Sequence, residues 1–206
     1  MTLIKSISGI RGTIGGAQGE NLTPIDAVMY GAAYGTWVKK QIEKESYRVV
    51  VGRDARLSGN MIQQLVINTL VGLGIDVINL DLSTTPTVEM AVVMEKADGG
   101  IILTASHNPK QWNALKLLNA KGEFLDAVAG QEILDIAQGA NMLFATVVNL
   151  GKVTRNDAYI DLHIDEILAL DLVNVKAIKA ANFKVVVDAV NSTGGIAIPL
   201  LLEALG

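Results

Sequence analysis

Short β-branched runs alternate along this 206-residue chain with longer stretches whose apolar residues return every three to four positions, the pattern of strands separated by helices. Residues 3–10 read as a short strand that runs into Arg11-Gly12 and a loop loosened by Gly15-Gly16. Thr23 then predicts a helix N-cap. Pro24 takes the first helical position, Asp26 lies three residues after the cap, and Ala, Val and Met residues carry the helix to about residue 44. Residues 48–52 (RVVVG) form a strand ending in glycine, and the charged loop RDARLSG follows. Ser58 is the expected cap of the next helix, whose buried face holds Ile62, Val66, Leu70 and Leu73. Gly72 and Gly74 end that helix, residues 76–82 (DVINLDL) make the next strand, and Thr84-Thr85-Pro86 opens a helix to about Lys96. Residues 99–103 (GGIIL) are a third buried strand, which runs directly into Thr104-Ala105-Ser106-His107-Asn108-Pro109. The fold class predicted is α/β, a mixed, mainly parallel sheet sandwiched by helices, with ligand chemistry at the carboxyl ends of the strands.

Residues 115–118 look like a further strand closed by a tight turn at Lys121-Gly122-Glu123, and residues 126–138 are helical. From 139 to 155 no helical period is clear, which marks a domain boundary near residue 150. Beyond it come an amphipathic helix at 157–170, a strand at 183–188 (FKVVVD), the loop Asn191-Ser192-Thr193-Gly194-Gly195 and a helix at 196–205. One βα unit cannot bury both faces of its strand, so residues 151–206 read as the truncated beginning of a second, similar α/β domain after a first domain at 1–150.

Composition narrows the partner. Half the residues are hydrophobic and only 4% aromatic, so the core must be aliphatic, as in parallel strands covered by helices. Seventeen basic and 21 acidic residues, with no basic run, leave no footprint for nucleic acid or a membrane surface. The absence of cysteine excludes a disulfide framework and a thiolate-held metal and fits a reducing cytoplasm. The amino terminus MTLIKSISGIRG has no apolar signal core, so an unsecreted cytoplasmic protein is expected.

The densest chemistry lies at Thr104–Pro109 and in Trp112-Asn113-Ala114-Leu115-Lys116 after it. Asn-Pro disfavours helix, so Ser106 is expected in a loop at the mouth of the sheet. His107, Lys116 from the next strand and Arg11 from another strand end are expected around it, and cations about a serine suit a phosphoryl group, which carries about −1.5 to −2 charges on phosphoserine. A serine hydrolase is disfavoured: there is no Gly-x-Ser-x-Gly elbow, and neighbours in an extended loop point to opposite sides, so His107 is not the base for Ser106. Alone, the segment reads equally well as a turn with local hydrogen bonds. Arg53, Asp54 and Arg56 suit a structural clamp better than a catalytic device. His163 has no second histidine beside it, and Asp161, Asp165 and Glu166 read as a solvated helix face.

Four elements in order, Ser8-Gly-Ile-Arg-Gly12, Val51-Gly-Arg-Asp-Ala-Arg-Leu-Ser58, Thr84-Thr-Pro-Thr87 and Thr104-Ala-Ser-His-Asn-Pro109 with Asn113 and Lys116, resemble the α-D-phosphohexomutases, which include phosphoglucomutase, phosphomannomutase and phosphoglucosamine mutase. The resemblance covers most of residues 5–120 and returns faintly at 183–195. It implies a phosphoserine at Ser106 that exchanges its phosphoryl group with a hexose phosphate, Lys116 as general acid/base, and His107 and Arg11 as donors to phosphate oxygens. It further implies Mg²⁺ held by the phosphate on Ser106 and by aspartates in an Asp-x-Asp-x-Asp-Arg loop absent from these residues. The remainder of domain II and domains III and IV would then be missing partners, and the isolated chain is expected to be nearly inactive. Phosphoglucosamine mutase, and a non-catalytic phosphate-binding module, are the alternatives. Ala114 stands where many relatives carry glycine, so a slightly different loop shape is expected there.

Overall fold

The computed structural model describes residues 1–6, 9–139 and 141–206. Ile7 and Ser8, the latter part of the first motif, lie outside the described residues, as does Ala140. Seven strands form one mixed sheet in the order β1 (Ile4–Ser6), β2 (Gly9–Thr13), β6 (Trp112–Leu118), β5 (Gly99–Leu103), β3 (Tyr47–Arg53), β4 (Ile75–Leu82) and β7 (Val153–Arg155). The β3·β4, β3·β5 and β4·β7 pairs are parallel, whereas β1·β2, β2·β6 and β5·β6 are antiparallel. The strand expected at 3–10 is therefore the start of a hairpin-like pair. β7, although it lies after residue 150, extends the first sheet.

Both faces of the central strands are covered, as a period of two requires. Val49, Val51, Ile101, Leu103, Leu115 and Leu117 point to one face, where α1 (Pro24–Gln41), α2 (Gly59–Gly72) and α4 (Ala127–Gly139) pack. Val50, Ile78, Leu80, Ile102 and Leu118 point to the other, beneath α3 (Thr85–Met94) and Tyr159 of α5 (Tyr159–Leu168). Gly99 is dictated by this packing: a Cβ there would meet the Tyr34 hydroxyl at 2.1 Å, and that hydroxyl donates to Leu118 O at 2.8 Å.

Several helix starts follow local chemistry and others do not. Thr23 and Asp26 make the expected capping box on α1, and the fully buried Asp26 also accepts from Gly19 N at 3.1 Å. Ser58 stands at the start of α2 but makes no capping bond; its hydroxyl instead accepts from Asn113 Nδ2 at 3.0 Å, because β6 brings that buried amide to it. α6 (Val175–Ala181), capped by Asn174, was not expected from the sequence.

The strand expected at 183–188 does not form: the segment has no regular structure, is exposed and pairs with no described strand. Strand formation needs neighbouring backbone to take its N–H and C=O groups, and no described strand lies beside it. The helix after it is present as α7 (Gly194–Leu205), packed in part against α5. No helix among the described residues is long and apolar enough to cross a membrane.

Candidate phosphoryl-transfer site

β5 delivers the Ser106 loop. Its all-buried run ends at Leu103, and the chain turns at once, with Asn108 N donating to Ala105 O at 3.0 Å. Ser106 is the first central residue of that turn and has φ 53°. A serine in the left-handed region costs of order 1–3 kcal/mol and persists only where its surroundings over-determine it. Ser106 and His107 are exposed, whereas Thr104 and Ala105 beneath them are buried.

The loop is therefore turned rather than extended, which corrects the expectation that Ser106 and His107 face opposite ways. Both line one cleft, together with Gly9, Arg11, Thr104, Asn108, Ala114 and Lys116. Arg11, Ser106, His107 and Lys116, far apart in sequence, are thus brought together by three strands. No hydrogen bond joins Ser106 Oγ to His107 among the described residues, so no nucleophile–base pair of hydrolase type is assembled. The cleft encloses about 170 Å³, short of the roughly 300–1,000 Å³ of pockets that engulf a whole ligand. Ser106 and His107 also line a larger neighbouring cleft of about 730 Å³ with Arg56 and Lys110.

Each cation is delivered by strand register. Arg11 pairs with Ala114 across β2·β6, and among the described residues its buried Nε has no hydrogen-bond partner, a donor open to an acceptor. Gly9 allows that close pairing: it has φ 117°, and a Cβ there would strike Leu115 O at 2.1 Å. Ala114 sits in strand β6 and is not at positive φ. Lys116 lies opposite Ile102 with its Nζ 5.4 Å from the Phe124 ring centroid. Glu89 on α3 is half-buried, and burial raises its carboxyl pKa, with the nearby Lys116 ammonium opposing the rise.

Sequence reasoning missed Phe124 and Glu89. The tight turn at 121–123 was the available signal for Phe124, since it folds the chain back so that Phe124 bridges to Leu118. Glu89 had none, because it comes from α3, a separate helix over the face of β6 that Lys116 shares with Leu118.

Behind the loop lies the Arg-Asp segment. Arg56 donates to Asp54 from Nε (3.1 Å), to Pro109 O and Trp112 O from Nη1 (2.8 and 3.0 Å), and to Ser106 O and Asn108 O from Nη2 (2.7 and 2.8 Å). Thr104 Oγ1 donates to Asp54 Oδ2 at 2.7 Å and accepts from Ser106 N at 3.2 Å. Arg53 instead bonds Gln63 Oε1 and Asp81, away from the loop. His163 lies elsewhere too, its Nδ1 3.1 Å from Thr87 Oγ1, and burial lowers its pKa. Asp161, Asp165 and Glu166 are exposed on α5.

No group of three or more His, Asp or Glu side chains among the described residues is placed to hold a metal ion. Asp54, the carboxylate behind the loop, is already engaged by Arg56 and Thr104. The residues present do not make a magnesium cage.

This is an α/β domain with a serine on a strained strand-end turn and a cleft of cations facing it. Residues 3–142 match the family model for phosphoglucomutase/phosphomannomutase, alpha/beta/alpha domain I, and the chain belongs to that family. It is 36% identical over 197 residues to the phosphoglucomutase/phosphomannomutase of Thermococcus kodakarensis, covering 95% of this chain and 42% of the relative. It is 31% identical over 200 residues to the phosphoglucosamine/phosphogalactosamine mutase of Sulfurisphaera tokodaii, covering 96% of this chain and 41% of the relative. In fold it is similar to a phosphoglucomutase/phosphomannomutase family protein from Burkholderia thailandensis, with a TM-score of 0.75 and 24% identity, over 98% of this chain and 42% of that one. The chain thus spans about two fifths of the length of the relatives it matches.

Proposed function

We propose that this chain supplies the phosphoserine-bearing part of a phosphohexomutase. The observation that carries the reading is the single cleft lined by Arg11, Ser106, His107 and Lys116. In the reaction proposed, a hexose hydroxyl attacks the phosphorus of phosphorylated Ser106. The new P–O bond forms to the sugar as the bond to Ser106 Oγ breaks; the Lys116 ammonium gives one proton to the leaving Ser106 Oγ and takes up the hydroxyl proton in its place. The sugar bisphosphate then presents its other phosphoryl group to Ser106 and the steps run in reverse, giving net transfer between the 1- and 6-positions.

Arg11 Nε and His107 serve the phosphoryl oxygens, where charge spreads in a loose transition state. A Mg²⁺ would add further neutralisation there; its ligands other than the phosphate on Ser106 would have to come from outside these residues, and no step here depends on it. The reading rests on residues placed for the phosphoryl group, so it extends to hexose phosphates as a class, glucosamine phosphate included. The reading divides the chain into residues 1–150, which carry the loop, and 151–206, which begin a second unit, with β7 reaching back to the first sheet.

Incubation with a hexose 1,6-bisphosphate and Mg²⁺, followed by mass spectrometry, should find a phosphate adduct on Ser106 that is absent in Ser106→Ala. An adduct on another residue, or none, would refute the reading in favour of a module that only binds phosphate. Turnover of glucose 1-phosphate by these 206 residues alone is expected to be near background.

A further inference from the structure

Two arginines stand on either side of the Ser106 loop, and their hydrogen-bonding states are opposite. A guanidinium has five N–H donors and no acceptor. All five of Arg56 have acceptors: the Asp54 carboxylate and the carbonyls of Ser106, Asn108, Pro109 and Trp112. Arg11, which lines the cleft, in contrast keeps a buried Nε that no other described residue accepts from. We infer that Arg56 is the positioning residue of the phosphoryl carrier: it holds Ser106 in its left-handed turn and contributes no donor to the phosphate, whereas Arg11 is a phosphate ligand. This rests on the functional reading of Ser106 given above.

The geometry explains how one side chain does this. Both peptide groups flanking Ser106 are pinned, its carbonyl by Arg56 and its N–H by Thr104, and Asp54 joins the two pins. The arginine side chain is only 11% exposed, so water does not compete well for these acceptors. Pro109 O also accepts from Trp112 N at 3.0 Å, so Arg56 adds to the turn's own backbone bonding as well as capping the carbonyls of Ser106 and Asn108. The planar fork of a guanidinium reaches all of these acceptors, and a lysine ammonium, a single point with three donors, does not.

The test compares Arg56→Lys with Arg11→Lys in the full encoded chain, by amide hydrogen exchange across residues 104–112 and by the rate at which Ser106 accepts a phosphoryl group from a hexose 1,6-bisphosphate. Arg56→Lys should speed loop exchange at least about tenfold and slow phosphorylation roughly 100-fold, the cost of misplacing a reacting group by about an ångström, with half-saturation by the bisphosphate nearly unchanged. Arg11→Lys should leave loop exchange as in the wild type and raise the half-saturating concentration. If Arg56→Lys raises that concentration while keeping the maximal rate, or if its loop exchanges as in the wild type, the inference is overturned. Where Arg56→Lys does not fold, Thr104→Val removes the other pin and carries the same comparison: faster exchange at 104–112 supports the inference and unchanged exchange overturns it. A wild-type Ser106 that takes no phosphoryl group refutes the functional reading, and the exchange comparison then decides alone whether Arg56 holds the turn.

Discussion

Residues 47–52 read YRVVVG and residues 183–188 read FKVVVD, an aromatic residue, a cation and three valines in each, and the two segments end in opposite environments. Val49, Val50 and Val51 are wholly buried in β3 with β5 on one side and β4 on the other, whereas Val185, Val186 and Val187 are 53%, 91% and 43% exposed and unpaired. Both are followed by a loop and a helix. The difference lies in what surrounds them: the first has strands on both edges and helices on both faces, and the second has no described strand on either edge. β-propensity describes how well a residue fits a pleated, packed surface, so three valines without that surface do not make a strand.

The comparison is most exposed to hydrogen exchange. Amides of Val49–Val51 should open only with the whole domain and exchange at least ~10³-fold more slowly than the intrinsic rate, while those of 185–187 should exchange close to it. Comparable protection in the two segments would break the contrast outright. Substitution comes next. Val50→Asp buries a carboxylate with no partner and should cost more than about 3 kcal/mol, enough to abolish a cooperative urea transition in a marginal domain. Val186→Asp should move the midpoint by no more than about 0.5 kcal/mol.

The helices that follow offer a smaller test of the same idea. Thr23 caps α1 through Asp26 N, so Thr23→Ala should cost about 1 kcal/mol, within a range of roughly 0.5–2. At the start of α7 the Thr193 side chain makes no capping bond, so Thr193→Ser should be neutral to about 0.5 kcal/mol in the same urea titration.

The smallest effect concerns pH. Burial lowers the His163 pKa, so the unfolded chain binds its proton more readily than the folded one. Its contribution to stability is present above the ordinary histidine value of about 6.5 and is lost as pH falls from there toward the lowered folded value. Urea titrations at a pH above and a pH below that value should show a smaller loss in His163→Gln than in the wild type, and equal losses would remove His163 from the account.

The cleft was legible for a related reason. Ser106, His107, Lys116 and Arg11 stand in motifs tied to strand ends, and a βα rhythm places strand ends together. What holds the loop was legible only in outline. The Arg-Asp segment read as a clamp, but its target did not, because Arg56 reaches acceptors 50 to 56 residues away. Ser58 illustrates the limit from the other side: its sequence suits a cap, and a tertiary neighbour, Asn113, took the hydroxyl.

Sequence alone determined the elements whose cause is local: the capping box of α1, the continuous apolar runs that bury both faces of β3 and β5, and the glycines that end α2. Tertiary structure alone decided which β-branched run became a strand, the antiparallel half of the sheet formed by β1, β2 and β6, the left-handed Ser106, and the division between an arginine with every donor used and one with a donor to spare. The physical reason is the same throughout. Caps and turns satisfy their hydrogen bonds within a few residues, whereas strands, clamps and clefts need partners that only the folded chain brings within reach.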